Sequence, residues 1–303
     1  MSDRTPQAEE ATYSVGAVSR ITGLSPHVLR AWETRYRAVT PIRTEGGTRR
    51  YRPADVARLR LLRAASRAGH PIGSIAHLED AALRALAAAP EPPRALPLDP
   101  ILDAIGALDA EEVQRQLGLL LAALGPRHFG LDVALPLLSA VGDRWEKGSL
   151  CIASEHLVSV LVRNLLGAAL HARHPVSGAP HIVFATPEGE RHELGLLTSA
   201  VVASEAGARC TYLGADLPLD EIARAVETLD ADALALGAGR LSPAESLRTL
   251  RELRRRVPAA VPLWLGGPGT ERLELPPGVE QVELDELDVK VAMLAERKAA
   301  AAG

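Results

Sequence analysis

Between Pro90 and Pro100 the chain reads "PEPPRALPLDP", five prolines in eleven residues. Each proline fixes φ and removes a backbone donor, so neither a helix nor a central strand runs through this stretch. Residues 90–100 are therefore a semi-rigid linker. A chain of 303 residues is also too long for one ordinary core, and two or three domains are expected.

The two sides of the linker differ in charge. The formal net charge of −4 hides a basic block: from Tyr13 to Arg63, eleven Arg face only Glu33, Glu45 and Asp55, a local +8. The remainder is acidic. Tyr13, Trp32, Tyr36 and Tyr51 lie in the same basic block. Such asymmetry suits a chain that meets a polyanion with one end only. Cys151 and Cys210 are far apart and form no C-x-x-C pattern, which argues against a disulfide framework or a zinc knuckle. No charged-then-apolar leader opens the chain and no apolar run is long enough to span a bilayer. A cytoplasmic protein without membrane contact is expected.

Residues 12–89 make up the basic side. In "YSVGAVSRITGLSPHVLRAWETRYR" two short helices flank a tight turn. Ser14 can cap the first, Gly23 breaks it, and Ser25-Pro26 is a strong start for the second. Leu29, Trp32 and Tyr36 recur at helical spacing and should face inward, which leaves His27, Arg30, Glu33 and Arg35 projecting outward or along the edge. "IRTEGGTRRYR" then reads as a hairpin turning at Gly46-Gly47. Helix resumes from Pro53 to about Arg67, and again after Pro71.

Helix-turn-helix, hairpin, then helix is a DNA-binding layout. The second helix would enter the major groove and the Arg-laden hairpin would follow phosphates. The candidate contacts to a double-stranded operator are His27, Arg30, Arg35 and Tyr36, with Arg43, Arg49, Arg50 and Tyr51 from the hairpin. A merely solvated basic face is the alternative, and charge concentrated on these two elements favours DNA. The stretches "GLSPHVLRAWETRYR" and "RTEGGTRRYRPADVARL" resemble the winged helix-turn-helix of MerR-type regulators. Arg52-Pro53 departs from that pattern, where such proteins often carry a serine cap before an acidic residue.

Residues 101–175 are helical by pattern. Apolar residues recur at three- and four-residue spacing in "ILDAIGALDAEEVQRQLGLLLAAL", "ALPLLSAVGDRWEKG" and "CIASEHLVSVLVRNLLGAALHARH", as in a bundle of three to four helices. Trp145 sits at one helix end, and Glu155 and His156 lie within the next helix. Spacing alone makes Trp145 a core residue and Glu155-His156 a solvated edge.

Residues 180–298 alternate strand and helix. "HIVFAT", "RCTYLGA", "ADALALGAG", "VPLWLGGPG" and a last run near Val279 to Leu284 give five strands. That period implies a parallel sheet covered on both faces, in the flavodoxin-like order, with ligands at the C-terminal strand ends. The fold class is thus multidomain, α plus α/β: a winged helix-turn-helix head, a helical bundle and a Rossmann-type parallel sheet.

The first of these strands leads into "TPEGERHELGL", with His192 between Glu190 and Gly195. Gly195 is followed by 41 residues to Gly237-Ala238-Gly239, then by 26 residues to Gly266-Gly267. This arrangement resembles the cobalamin-binding domains of B12-dependent mutases and methionine synthases, whose pattern is D-x-H-x-x-G, S-x-L, then G-G. The resemblance implies that His192 is the lower ligand of cobalt, with Glu190 in place of the family's Asp as its carboxylate partner. It also implies that Gly195, Gly237, Gly239, Gly266 and Gly267 admit the nucleotide tail. Neutral imidazole suits cobalt, and a carboxylate on its other nitrogen fixes the tautomer. The departures are Glu190 for Asp and Gly-Ala-Gly for Ser-x-Leu.

With His192 so placed, Trp145, nine residues, then Glu155-His156 resembles the W-x9-E-H signature of light-sensing regulators of the CarH and LitR type. These join a MerR-like head, a helical bundle and a cobalamin domain in the same order. The resemblance implies that Trp145, Glu155 and His156 hold the 5′-deoxyadenosyl group of adenosylcobalamin above the cobalt. It further implies a homo-oligomeric (tetrameric) repressor that releases DNA when light breaks the cobalt–carbon bond, and no enzyme activity. In that family a histidine follows the Trp and takes the upper cobalt position after light; here that residue is Glu146. The alternatives are a light-independent regulator that binds methylcobalamin or another cobalamin as a chemical signal, a cofactor-free regulator, and a corrinoid carrier subunit of a mutase or methyltransferase.

Overall fold

The computed structural model describes residues 12–22, 24, 26–44, 47–68, 70, 72–88, 98–239, 241–268, 270 and 273–302. The break at Gly23, the cap at Ser25, Gly46 of the hairpin turn, Pro71, the linker prolines 90–97 and the side chain of His27 lie outside the described residues. The chain divides into two units, residues 1–93 and 94–303.

In the first unit, α1 (Val15–Thr22) and α2 (Pro26–Thr34) are followed by the hairpin of β2 (Ile42–Arg43) and β3 (Arg49–Tyr51), and then by α3 (Pro53–Arg67), α4 (Ile72–Ile75) and α5 (Asp80–Ala88). Ser14 Oγ accepts from the Ala17 amide at 3.3 Å and caps α1. Leu29 and Trp32 are buried as their spacing predicts, while Tyr36 is only half-buried. The strand β1 (Tyr13–Ser14) joins the hairpin to give the order β1-β3-β2, with Tyr13 opposite Tyr51. The sequence gives no sign of this third strand: two residues carry no alternation, and the partner is far along the chain.

Central placement buries Tyr51 completely. Its expected role at DNA is corrected accordingly: the ring is core, and burial is the main cause that raises its hydroxyl pKa. At Arg52-Pro53, where the chain departs from the family's serine cap, the Arg52 amide donates to Asp55 Oδ2 at 2.8 Å and Pro53 opens α3. Arg58 ties the helices together, donating to the carbonyls of Ala38, Ala76 and Leu78 and to Asp80.

The second unit begins with four helices: α6 (Asp99–Gly106), α7 (Ala110–His128), α8 (Leu135–Glu146) and α9 (Ile152–His171). The first starts at Asp99, two residues inside the expected linker. Next comes β4 (His181–Pro187), α10 (Leu194–Glu205), β5 (Arg209–Leu217), α11 (Leu219–Thr228), β6 (Ala233–Gly237), α12 (Pro243–Arg256), β7 (Leu263–Gly266), β8 (Val279–Gln281) and α13 (Leu287–Ala302). The sheet is parallel, in the order β5-β4-β6-β7-β8. That is the expected flavodoxin-like order. The last strand is shorter than expected because Leu284 already belongs to a 3-10 turn.

Bundle and sheet share one core. Phe129, Val133, Leu137, Val162 and Leu166 pack in the same cluster as Phe184, Leu197, Ala200 and Trp264, while α11 and α12 cover the opposite face. The seat is set by a break in α7 at Gly125-Pro126, followed by a π-helical turn over residues 129–134. Within that turn a Cβ on Gly130 would stand 2.8 Å from Thr198 Cγ2 of α10. Only glycine lets the turn rest there. Gly130→Ala should therefore destabilise the second unit by about 1–3 kcal/mol, read by chemical denaturation. Thr198→Ser, which keeps the hydroxyl bonded to Leu194 O but removes the methyl, should recover much of that loss in the double variant. Additive effects of the two changes would contradict this seat.

Candidate functional site

The chain leaves β4 towards β5 on one side and returns from β5 to β6 on the other, so the order reverses between β4 and β6. Crevices at such points receive ligands at the carboxyl ends of the strands. The loop after β4 carries His192, Gly237 and Gly239 stand at the end of β6, and Gly266 and Gly267 at the end of β7.

Backbone and side chains of two neighbouring strands pin the His192 loop. The Glu190 amide donates to Pro187 O at 3.0 Å. Thr186 Oγ1 donates to Glu190 O at 2.5 Å and accepts from the Asp216 amide at 3.0 Å, and Asp216 Oδ1 accepts from the Gly189 amide at 2.8 Å. The Glu190 side chain is completely buried, and one carboxylate oxygen faces both the amide and the Nδ1 of His192 at 2.8 Å. A proton on Nδ1 satisfies that carboxylate, which leaves the Nε2 lone pair for a partner outside. The imidazole itself is 62% exposed. Among the described residues no group of three or more His, Cys, Asp or Glu side chains comes together as a metal site. The loop presents a single, oriented nitrogen.

The glycines differ from one another in their surroundings. A Cβ on Gly195 would meet nothing within 4 Å, so space is open beside the first turn of α10. A Cβ on Gly237, by contrast, would meet Thr186 and Leu196, one on Gly239 would stand 3.1 Å from Pro268, and one on Gly266 3.5 Å from the carbonyl of Val282. Gly267 has φ +119°, and a Cβ added there would stand 3.2 Å from the backbone of Gly239. These four let protein meet protein at the strand ends, and the loops after β6 and β7 lie against each other.

The bundle reaches past this edge. Arg163 of α9 bonds Glu193 at the start of α10, and Arg173, just after α9, bonds Glu205 at the end of α10. The two helices therefore run side by side in the same direction. The residues of α9 before Arg163 extend beyond the sheet edge on the His192 side. At 1.5 Å per residue, His156 and Glu155 stand about 10–12 Å further along the axis than Arg163. Glu155 accepts from Ser159 at 2.9 Å and is half-buried, while His156 is exposed. Trp145, in the last turn of α8 and a short turn before α9, is 46% exposed and is not the core residue that spacing suggested. Glu146 beside it is exposed as well.

In the first unit Arg30 and Arg43 are exposed, Arg35, Tyr36, Arg49 and Arg50 half-buried. The Arg35 guanidinium lies 5.6 Å from the centre of the Tyr36 ring. Glu33, expected to project outward, is turned in. Its side chain is only 10% exposed and receives Arg49 Nε at 2.6 Å and Arg43 at 3.8 Å. Arg43 and Arg49 sit opposite each other across the hairpin. Like charges in that position repel, and Glu33 offsets them while fastening the wing to α2.

Residues 13–82 match the MerR HTH family regulatory protein, and residues 97–169 and 180–284 each match a B12 binding domain. The HTH-type transcriptional repressor CarH of Myxococcus xanthus is 36% identical over 268 residues, 85% of this chain and 89% of that protein. The chain belongs to this family of MerR-type transcriptional repressors. CarA of the same organism, also an HTH-type transcriptional repressor, is 30% identical over 263 residues, 85% of this chain and 87% of the relative. Among solved structures, the monomethylamine corrinoid protein of Methanosarcina barkeri aligns at TM-score 0.48 and 15% identity, over 64% of this chain and 95% of that one. The chain is a B12-binding, DNA-binding regulator, and its family is one of repressors rather than enzymes. No described helix is long and apolar enough to cross a membrane.

Several contributors to the site have no local sequence signal. Thr186, Asp216, Glu193, Arg163 and Tyr212 matter through pairings between strands and helices. Only the strand order, which puts the end of β5 beside the end of β4, would have pointed to Asp216.

Proposed function

We propose that this regulator takes adenosylcobalamin as its cofactor and that light relieves its repression. The observation that carries this is the exposed His192 imidazole, held on Nδ1 by the buried Glu190 carboxylate, at the switch point of the sheet and alongside the overhanging start of α9. His192 would ligate cobalt from below, and Glu190 would hold its tautomer. Gly195 leaves room beside α10, and Gly237, Gly239, Gly266 and Gly267 would line the path of the tail once their loops part. Trp145 offers a flat apolar surface above, and Glu155 and His156 offer polar groups for the adenosyl ribose. Bound there, adenosylcobalamin supplies a cobalt–carbon bond that visible light cleaves.

The chain works as a homo-oligomer that holds its operator in the dark, with the head as the reading part. Arg30 on α2 and Arg43 and Arg50 on the wing are the contacts to DNA; Arg35 and Tyr36 support α2, His27 lies on the same helix, and Arg49 holds the wing through Glu33. Arg43→Ala should weaken binding to all sequences and lower the slope of log affinity against log salt by about one unit. Arg30→Ala should also relax the sequence preference. Full affinity at moderate salt in both variants would contradict this assignment.

The cofactor reading is tested by loading the protein with adenosylcobalamin in the dark and recording spectra and retention on desalting, before and after illumination. His192→Ala should lose the spectrum of histidine ligation and most of the retention. Glu146 has an anionic oxygen where an imidazole would suit cobalt better, so the wild-type protein should release cobalamin after light more readily than Glu146→His. Unchanged affinity and spectrum in His192→Ala would remove His192 as the ligand. Equal retention by wild type and Glu146→His after light would show that another group takes the upper position.

A further inference from the structure

One carboxylate in the second unit joins three elements. Glu193, directly after His192, is 12% exposed, and each of its oxygens has its own partner. Oε1 accepts from Arg163 Nε of α9 at 2.5 Å, and Oε2 accepts from the Tyr212 hydroxyl of β5 at 2.6 Å. Burial, then the bond to Glu193, push the Tyr212 pKa up, so the phenol stays a donor across the physiological range. Arg163 is 44% exposed. An ion pair this open adds little to stability. What it does fix is position, because Arg163 is the point on α9 from which Glu155 and His156 overhang.

We propose that Arg163, Glu193 and Tyr212 form a spacer latch that sets the distance between the His192 loop and the first turns of α9, and so the width of the gap a corrinoid enters. Arg163 is then a positioning residue for His192 although it touches neither the imidazole nor its carboxylate. This rests on reading His192 as the cobalt ligand. Arg163 holds the loop from the bundle side, while Tyr212, Thr186, Glu190 and Asp216 hold it from the sheet side. Loss of Arg163 frees one side only. The loop should loosen, the imidazole should still reach cobalt, and the gap should no longer be held at one width.

The test uses the full chain and the variants Arg163→Met, which keeps the apolar stem, Arg163→Lys, which keeps the charge, and Tyr212→Phe. Without cobalamin, Arg163→Met should keep the wild-type denaturation midpoint while amides 189–196 exchange hydrogen faster. With adenosylcobalamin in the dark, it should bind about 10–100-fold more weakly, the range for losing an indirect support of a metal ligand, and its spectrum should remain that of histidine ligation. Tyr212→Phe should move both readings in the same direction, and Arg163→Lys should recover most of the affinity. Exchange rates of amides 189–196 unchanged in Arg163→Met overturn the latch, whatever cobalamin does. Loss of affinity in His192→Ala with none in Arg163→Met overturns its role at the cofactor and leaves the His192 reading standing. Full affinity in His192→Ala overturns that reading instead, and the latch as a cofactor spacer falls with it.

Discussion

The seat of the bundle on α10 is the constraint on which the second unit depends. Gly130 brings the π-helical turn within contact of Thr198, and Arg163–Glu193 and Arg173–Glu205 align α9 with α10 from end to end. Because α9 has 20 residues and α10 has 12, pairing the C-terminal half of α9 with the whole of α10 leaves the start of α9 beyond the strand ends. The overhang follows from helix length and register, and it carries the residues proposed for the upper face of the cofactor. At the strand ends stands an imidazole held by a buried carboxylate; the indole and the Glu-His pair lie on the end of α8 and the overhanging start of α9. The shared core, running from Phe129 and Leu166 to Phe184 and Trp264, keeps this arrangement one body rather than two that meet by chance.

The head is held by comparable logic at smaller scale. Two arginines face each other across a short hairpin, and Glu33 of α2 stands between that pair and the helix. The wing is fastened to α2 for this reason. The exposed charges of Arg30 and Arg43 and the half-buried Arg50 are then presented on one frame, as contact with a regular phosphate backbone requires.

Much of this was legible in the sequence because it is local. Alternation of β-rich runs with amphipathic helices gave the five-stranded parallel sheet in its order, and Ser14, Pro26 and Pro53 marked helix starts. His192, Glu190 and the glycines were legible by spacing, which is the form in which a loop at a strand end is written. The rest depends on pairings between distant residues. The strand at Tyr13–Ser14 exists through its pairing with Arg50 and Tyr51, far along the chain, and it helps to bury Tyr51. Glu33 looked solvated because its partners are on another element, and Trp145 looked like core because periodicity cannot tell a buried stripe from one facing a ligand. At Gly237, Gly239 and Gly267 an added Cβ would meet protein, a contact between strand ends and loops that glycine spacing does not reveal.

The central claim is that the state of a cobalamin held at His192 decides whether the head holds DNA. It is tested most directly by binding to DNA selected from a random pool, measured for the chain without cofactor, with adenosylcobalamin in the dark, and after illumination of that same sample. Tight binding is expected only in the dark, loaded sample, with affinity falling on illumination towards that of the cofactor-free chain. Equal affinity in all three samples would contradict it.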